Sequence, residues 1–243
     1  MPTRPSEALD GLSLHDDPRL DADFCRFLPG TDATADVLLV GVVHDHPASS
    51  YRVAALADAF DPDTLALELP PLAVPGFERA SAGQNRLDGG EMTAAIAAVS
   101  DADVVGIDSL GWRFGRRFLA NARRTDADIG TIRQALSEVG RIARHALACR
   151  LDRASAGNSA AVDHDISPRE PPAAQAEDER TQVARSRSLL GAIERPRADL
   201  LVDATREDTM ADGIDSERQR GSVLAVVGMN HLETLAEALE ASD

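Results

Sequence analysis

Two short patterns at opposite ends of the chain carry side chains able to do acid–base or metal chemistry: Gly41-Val42-Val43-His44 and Gly228-Met229-Asn230-His231. Imidazole titrates near neutral pH and is a common metal ligand, so two histidines in a repeated context suggest one shared site. A third candidate is Glu68, inside the otherwise apolar run Thr64-Leu65-Ala66-Leu67-Glu68-Leu69 that precedes Pro70-Pro71. Burying an unpartnered carboxylate is costly, so a glutamate there calls for a cation, a metal or a proton, unless it reaches solvent at the strand end. His44, His231 and Glu68 form a His/His/Glu set suited to a divalent ion such as Mn²⁺, Co²⁺ or Zn²⁺ with open positions. The same imidazole pair also suits general acid–base catalysis. Gly41 and Gly228, lacking a Cβ, would let the chain turn sharply and let substrate or backbone approach closely.

Other residues could join this set. His46 extends the first pattern to His44-Asp45-His46; it is a third ligand if the segment is extended, or, as the preferred reading, a solvated loop residue before Pro47. Glu91 opens a helix after Gly89-Gly90, either as a first-turn carboxylate favoured by the helix dipole or as a substrate contact at the rim. Asp108 closes an apolar run and is either a cap or a site residue. Arg206, in Thr205-Arg206-Glu207-Asp208-Thr209-Met210, is an anion clamp or a partner for Glu68. His15, His145 and His164 have no supporting context and read as surface. Cys25 and Cys149 have no metal-like spacing and read as free buried thiols of a reducing cytoplasm.

The elements that must position these groups follow from periodicity. Residues 36–43, 64–69, 103–108 and 222–228 read as strands, the first and last rich in β-branched side chains and each closed by a glycine motif. Helices are expected from the Ser49-Ser50 cap to Phe60, from about Glu91 to Val99, and over 230–240. The βαβαβ order points to a mixed α/β fold, a central and largely parallel sheet flanked by helices. Ligands of such sheets sit at the carboxyl ends of the strands, where both histidines fall. A helical middle region runs from Gly111 to Arg153, split near Thr125-Asp126, and resumes over about 178–190 and 197–211. Residues 1–35 read as an N-terminal extension with one irregular strand near Phe24–Leu28, and residues 36–243 as the domain proper. Residues 154–178, poor in bulky apolar side chains, read as a disordered insertion. The paired Gly-x-x-His units could reflect an old half-to-half symmetry.

Composition narrows the function classes. The chain has 243 residues and a formal charge of −16, with 41 acidic against 25 basic residues, every basic one an arginine. This length suits one domain with a full core. A lysine-free, acid-rich surface fits a halophilic protein kept soluble at high salt and argues against nucleic acid or an anionic membrane as partner. No apolar stretch approaches the roughly 18 residues of a membrane span, and the N-terminus has no apolar signal core, so a cytoplasmic protein is expected.

Taken in order, the motifs resemble the TraB/PrgY family, which includes the Tiki-type proteases. There a strand ends in Gly-Thr-x-His, a helix follows, and a strand ending in Val-Glu-Leu comes after Pro-Asp; here stand Gly41-Val42-Val43-His44, Pro62-Asp63 and Leu67-Glu68-Leu69. Gly89-Gly90-Glu91-Met92 resembles the family's Gly-x-Glu-Met segment, and Val104-Val105-Gly106-Ile107-Asp108 its strand ending in Ile-Asp-Arg. Arg206-Glu207-Asp208-Thr209-Met210-Ala211 resembles its Arg-Asp-x-x-Met-Ala helix, and Gly228-Met229-Asn230-His231 its closing Gly-x-x-His. The likeness spans residues 37–240, and the order of the matches carries it. It implies a fold shared with erythromycin-esterase-like and haem-uptake-like proteins. For the Tiki branch it implies divalent-metal-dependent peptide cleavage by the two motif histidines and a glutamate; for the PrgY branch, inhibition of a peptide pheromone. The chain departs from the pattern at Val42 (usually Thr), Ser109 (usually Arg) and Glu207 (usually Asp), and lacks the membrane helices that follow the domain in many microbial relatives.

The expectation is therefore a metal-dependent hydrolase, with the peptide bond as its first candidate substrate. His44 and His231 would be ligands, Glu68 a ligand or base, and Arg206 the group that stabilises developing negative charge. Glu91, Asp108, Gly41 and Gly228 would line the substrate. The alternatives are a non-catalytic module that sequesters a peptide or small ligand, and a metal-independent His/Glu esterase. A homodimer is compatible with all three.

Overall fold

The computed structural model describes residues 17–82, 90–153 and 164–242, with the backbone alone for 142–153. Five strands form one sheet: β1 (Cys25–Leu28), β2 (Val37–Val42), β3 (Thr64–Leu67), β4 (Asp103–Gly106) and β5 (Val223–Gly228). Their order across the sheet is β1-β2-β5-β3-β4, with β1 antiparallel to β2 and every other pair parallel. The last strand is thus inserted between the first two of the βαβ unit. Every residue of β2 and β5 is buried, as continuous β-branched runs require when both faces are covered. Alternate residues feed two cores. Val37, Leu39, Ala225 and Val227 face Met210, Ile214, Leu232 and Leu235, whereas Leu38, Val40, Leu224 and Val226 face Val53, Leu56, Met92 and Ile96.

Eight α-helices surround the sheet among the described residues: α1 (Pro47–Phe60), α2 (Val74–Ser81), α3 (Gly90–Ala98), α4 (Trp112–Arg124), α5 (Ile129–Arg153), α6 (Pro172–Ala192), α7 (Arg197–Arg218) and α8 (Leu232–Glu240). No helix among them is long and apolar enough to cross a membrane. A third, smaller core joins Phe114, Phe118, Ala135, Leu201 and Val202 of α4, α5 and the first turns of α7. The remaining turns of α7 lie on the sheet through Met210 and Ile214. That helix is therefore the spine joining the helical layer to the sheet, and Arg206 and Glu207 sit where it passes from one to the other.

Several expectations need correction. The first helix is capped by His46, not by the serines: Nδ1 of His46 accepts the Ala48 N–H at 3.1 Å, and Pro47 fills the first helical position, where its missing N–H costs nothing. His46 is fully buried and is no solvated loop residue. Residues 74–81, outside the helices expected from periodicity, form α2. The segment around Phe24–Leu28 is the edge strand β1, in register with Val37–Val40, so it belongs to the domain and not to an extension. The insertion expected over 154–178 is helical from Pro172, with Gln175 and Ala176 buried; residues 154–163 lie outside the described residues, as do His15 and the side chains of His145 and Cys149. Burial pushes the Cys25 thiol up to about 12, in keeping with an inert core residue.

Among the described residues one ion pair is wholly buried. Arg52 of α1 and Glu179 of α6 are both fully enclosed, and the Arg52 guanidinium also donates to the main-chain oxygens of Arg19 (2.8 Å) and Gly41 (3.3 Å). Glu179 in turn accepts from the Ser49 hydroxyl, which itself accepts the Val43 N–H at 2.8 Å. Leaving either charge unpartnered should destabilise the protein by about 3–5 kcal/mol. Glu179→Ala is expected to lower the denaturation midpoint accordingly, whereas the double variant Arg52→Met/Glu179→Leu should regain most of the loss; equal midpoints for the single and double variants would contradict this.

Candidate functional site

Parallel register sets the site. Val42 stands opposite Gly228 and Leu67 opposite Val226, so β2, β5 and β3 end side by side, and β4 ends beside β3 with Leu67 opposite Gly106. His44, His231, Glu68 and Asp108 all leave this one edge. Glu68 follows the last residue of β3, and its N–H still donates to Val226 O at 3.0 Å. A Cβ placed on Gly228 would lie 3.3 Å from Glu68 Oε2, 3.6 Å from His44 Nε2 and 3.8 Å from His231 Cδ2. The two motif histidines and the glutamate thus converge on one point, the space a side chain at 228 would fill. They line a single cavity together with Val42, Val43, His164, Gln182, Val183 and Asn230.

Each imidazole is backed by a carboxylate from a different helix. His44 Nδ1 lies 2.7 Å from Glu91 Oε1, and His231 Nδ1 lies 2.8 Å from Glu207 Oε1. A carboxylate accepts only, so both Nδ1 atoms carry a proton and both Nε2 atoms are left for the cavity. Glu91 also accepts the Asp45 N–H through Oε2 at 2.8 Å. Asp45 adopts a left-handed backbone (φ 59°), a conformation that costs a non-glycine residue about 1 kcal/mol and persists only when neighbours hold it. The expected role of Glu91 as a substrate contact is replaced by this one: its side chain is 4 % exposed and fully engaged. Glu207 was legible in the sequence only as a departure from the family pattern.

Arg206 resolves the question posed by Glu68. Its guanidinium forks onto Asp108, Nε to Oδ1 at 3.2 Å and Nη2 to Oδ2 at 2.9 Å, and Nη2 also meets Glu68 Oε1 at 2.9 Å. The other Glu68 oxygen accepts the Gly228 N–H at 2.7 Å. One cation and one amide therefore satisfy a carboxylate that is only 8 % exposed, and Asp108 is a partner of Arg206. Burial disfavours the Arg206 charge, yet Asp108 and Glu68 outweigh it and hold the guanidinium firmly protonated.

The two glycines serve close approach and not a turn, since neither has a positive φ. A Cβ on Gly41 would lie 2.7 Å from Met229 Sδ and 3.0 Å from Leu232 Cδ2, so the turn carrying the second motif packs directly on the first. His46 does not join the cavity as a third ligand: Nε2 faces Asp178 at 3.2 Å, and burial, only partly offset by Glu179 and Asp178, pulls its pKa down. His164, expected on the surface, lines the cavity instead.

A divalent ion on His44, His231 and Glu68 can be tested against this geometry. The imidazoles suit it, since carboxylate-held Nδ1 atoms present both Nε2 atoms inward, as metal-binding histidines are commonly arranged. Glu68 does not. Both of its oxygens are engaged, one by a guanidinium that would repel a dication, and among the described residues no group of three or more His, Cys, Asp or Glu side chains is arranged to hold an ion. No family model matches the chain, and no curated protein or solved structure matches it either.

Both site imidazoles are pushed up. At His44 the Glu91 hydrogen bond outweighs burial; at His231 burial pulls down, but Glu207 and the charge of Glu68 outweigh it. The folded state thus holds these protons more tightly than the unfolded chain does. Their contribution to stability is complete below the unfolded value of about 6.5 and is lost as pH rises through the raised folded values. Glu91→Gln should return the His44 titration towards about 6.5, read by NMR of the imidazole protons, while leaving His231 in place. A His44 titration unchanged by that substitution would show that Glu91 does not set it.

Proposed function

We propose that the chain is a TraB/PrgY-like hydrolase of acyl bonds, ester or peptide, in which His44 and His231 work as an acid–base pair without a resident metal. The observation that carries this reading is the double dyad: two imidazoles, each with Nδ1 on a carboxylate, meet beside Glu68 and Gly228, His44 through Nε2 and His231 through its Cδ2–Nε2 edge. Of the two, His231 is the more enclosed, with its side chain 14 % exposed and Nε2 3.6 Å from Glu68 Oε1. It is assigned as the base that takes a proton from water in the cradle at Gly228. His44, 53 % exposed at the rim, is assigned as the acid that protonates the leaving group. Glu91 and Glu207 fix the tautomers and stabilise the imidazolium forms. Glu68 orients the water, and its negative charge is balanced by Arg206. This differs from the role first expected of that arginine: committed to two carboxylates, it has less to offer a developing oxyanion. The lysine-free, acid-rich composition supports an activity exercised at high salt.

The metal-dependent reading is favoured by the same two Nδ1 contacts and differs from the first in one measurable respect. Chelator-treated wild-type protein, assayed at high salt on p-nitrophenyl esters and fluorogenic peptides, is expected to keep its turnover. His44→Ala and His231→Ala should each lower kcat by about 10²–10⁴, the range of a lost acid–base group. Since both imidazoles are pushed up, the rate should follow a bell centred above about pH 6.5. Abolition by chelator with rescue by Mn²⁺, Co²⁺ or Zn²⁺ would transfer the assignment to a metal centre. Binding of peptide probes without turnover would transfer it to a sequestering module.

A further inference from the structure

His164 stands outside every motif, and its contacts form a chain in which each proton can be placed. Its Nε2 lies 2.7 Å from the main-chain oxygen of His44, which can only accept, so Nε2 carries the proton. Nδ1 is then the acceptor and meets Gln182 Nε2 at 3.1 Å. The same amide nitrogen donates to Asp178 Oδ2 at 2.7 Å, which also receives His46 Nε2 at 3.2 Å. That assignment agrees with His46 Nδ1 accepting the Ala48 N–H. The His46 and His164 rings meet edge-on, with centroids 5.1 Å apart. Every donor in this series has an acceptor, and the series ends on the peptide that follows His44.

That peptide is gripped from both sides. Its N–H, belonging to Asp45, is held by Glu91 Oε2 at 2.8 Å, and its carbonyl, belonging to His44, by His164 Nε2 at 2.7 Å. Between these grips Asp45 keeps its left-handed backbone. The rotation of this peptide decides where the His44 side chain leaves the chain and whether Glu91 can hold both the Asp45 N–H and His44 Nδ1 at once. Without the carbonyl contact the peptide is held only by Glu91 on its N–H and by the turn bond from His46 N to Val43 O (3.1 Å), which leave it more room to rotate. Glu91 would then have to give up one of its two bonds.

We propose that His164 is a positioning residue for His44. It clamps the His44–Asp45 peptide by its carbonyl, and through Gln182 and Asp178 it couples helix α6 to the direction of the imidazole. The proposal rests on the reading that His44 acts in the cavity, but the clamp itself can be tested apart from any activity. His164→Ala, His164→Gln (which restores an N–H donor) and wild-type protein are compared by amide hydrogen exchange at Asp45. Turnover of whichever chromogenic ester or fluorogenic peptide the wild type cleaves is measured in parallel. His164→Ala should speed Asp45 exchange by at least about tenfold with little change at core amides of β2. It should also lower kcat by about tenfold or more at unchanged KM, since a misplaced group loses transition-state stabilisation and not substrate binding. His164→Gln should recover most of both. Unchanged exchange in His164→Ala overturns the clamp. Faster exchange with unchanged kcat leaves a structural contact and overturns the positioning role. If no probe is cleaved by wild type, the proposed function fails on its own, while exchange still decides the clamp.

Discussion

The carboxyl edge of the sheet is organised by a constraint that lies beneath it, the enclosed pairing of Arg52 with Glu179. Two charges without access to water are tolerated only if their remaining hydrogen-bonding capacity is used, and here it is used on the chain just before the first histidine. Arg52 donates to Gly41 O, and Glu179 reaches Val43 N through the Ser49 hydroxyl. The last residues of β2, the first turn of α1 and the middle of α6 are thereby fixed to one another. Since Val183 of α6 lines the cavity one turn beyond Glu179, the ion pair also sets one wall of the site. Replacing either partner therefore reaches the site through geometry, without touching a residue that lines it.

Much of this was legible in the sequence, for a definable reason. Continuous β-branched runs that end in glycine leave little choice but buried parallel strands, and strand ends in parallel register gather whatever follows them. Hence His44, His231, Glu68 and Asp108 share one edge as expected. What the sequence hid were partners set by packing. Glu207 looks like any helical glutamate, and only the path of α7 turns it towards His231. His46 and His164 occupy segments without periodicity, so nothing in the local pattern distinguishes a surface histidine from a buried cap or a clamp. The polar stretch that opens α6 misled for a related reason. Its small residues offer little apolar area, but Gln175, Asp178 and Glu179 anchor the helix through hydrogen bonds and an ion pair, which hydrophobic patterning does not register.

The position of α7 explains why one helix supplies two adjacent residues with opposite duties. Arg206 and Glu207 are neighbours in sequence and so point about 100° apart on a helix. That divergence matches the separation of their targets: Arg206 reaches the ends of β3 and β4 at Glu68 and Asp108, while Glu207 reaches the turn after β5 at His231. A one-residue shift of the helix would set Glu207 against Glu68 and Asp108 in one direction, or Arg206 against His231 in the other. The packing of Met210 and Ile214 on the sheet, and of Leu201 and Val202 on the helical layer, holds α7 in register from both ends.

Charge balance then ties the site to the character of the whole chain. Four carboxylates bear on the site, Glu68 lining the cavity and Glu91, Asp108 and Glu207 behind it, with the Arg206 guanidinium between two of them and two imidazoles that can take up protons. An excess of negative charge in a poorly solvated edge favours the imidazolium forms, consistent with the upward displacement of both histidines. Salt weakens interactions between exposed charges beyond a Debye length of about 10 Å at 0.1 M, but acts far less on enclosed pairs a few ångströms apart. A chain with 41 acidic residues can therefore have its surface repulsion screened by added salt while the enclosed contact of His231 with Glu207, and the direct hydrogen bond of His44 to the buried Glu91, persist. In this protein the surface and the site draw on the same acidic composition, and at the site it raises the proton affinity of two imidazoles.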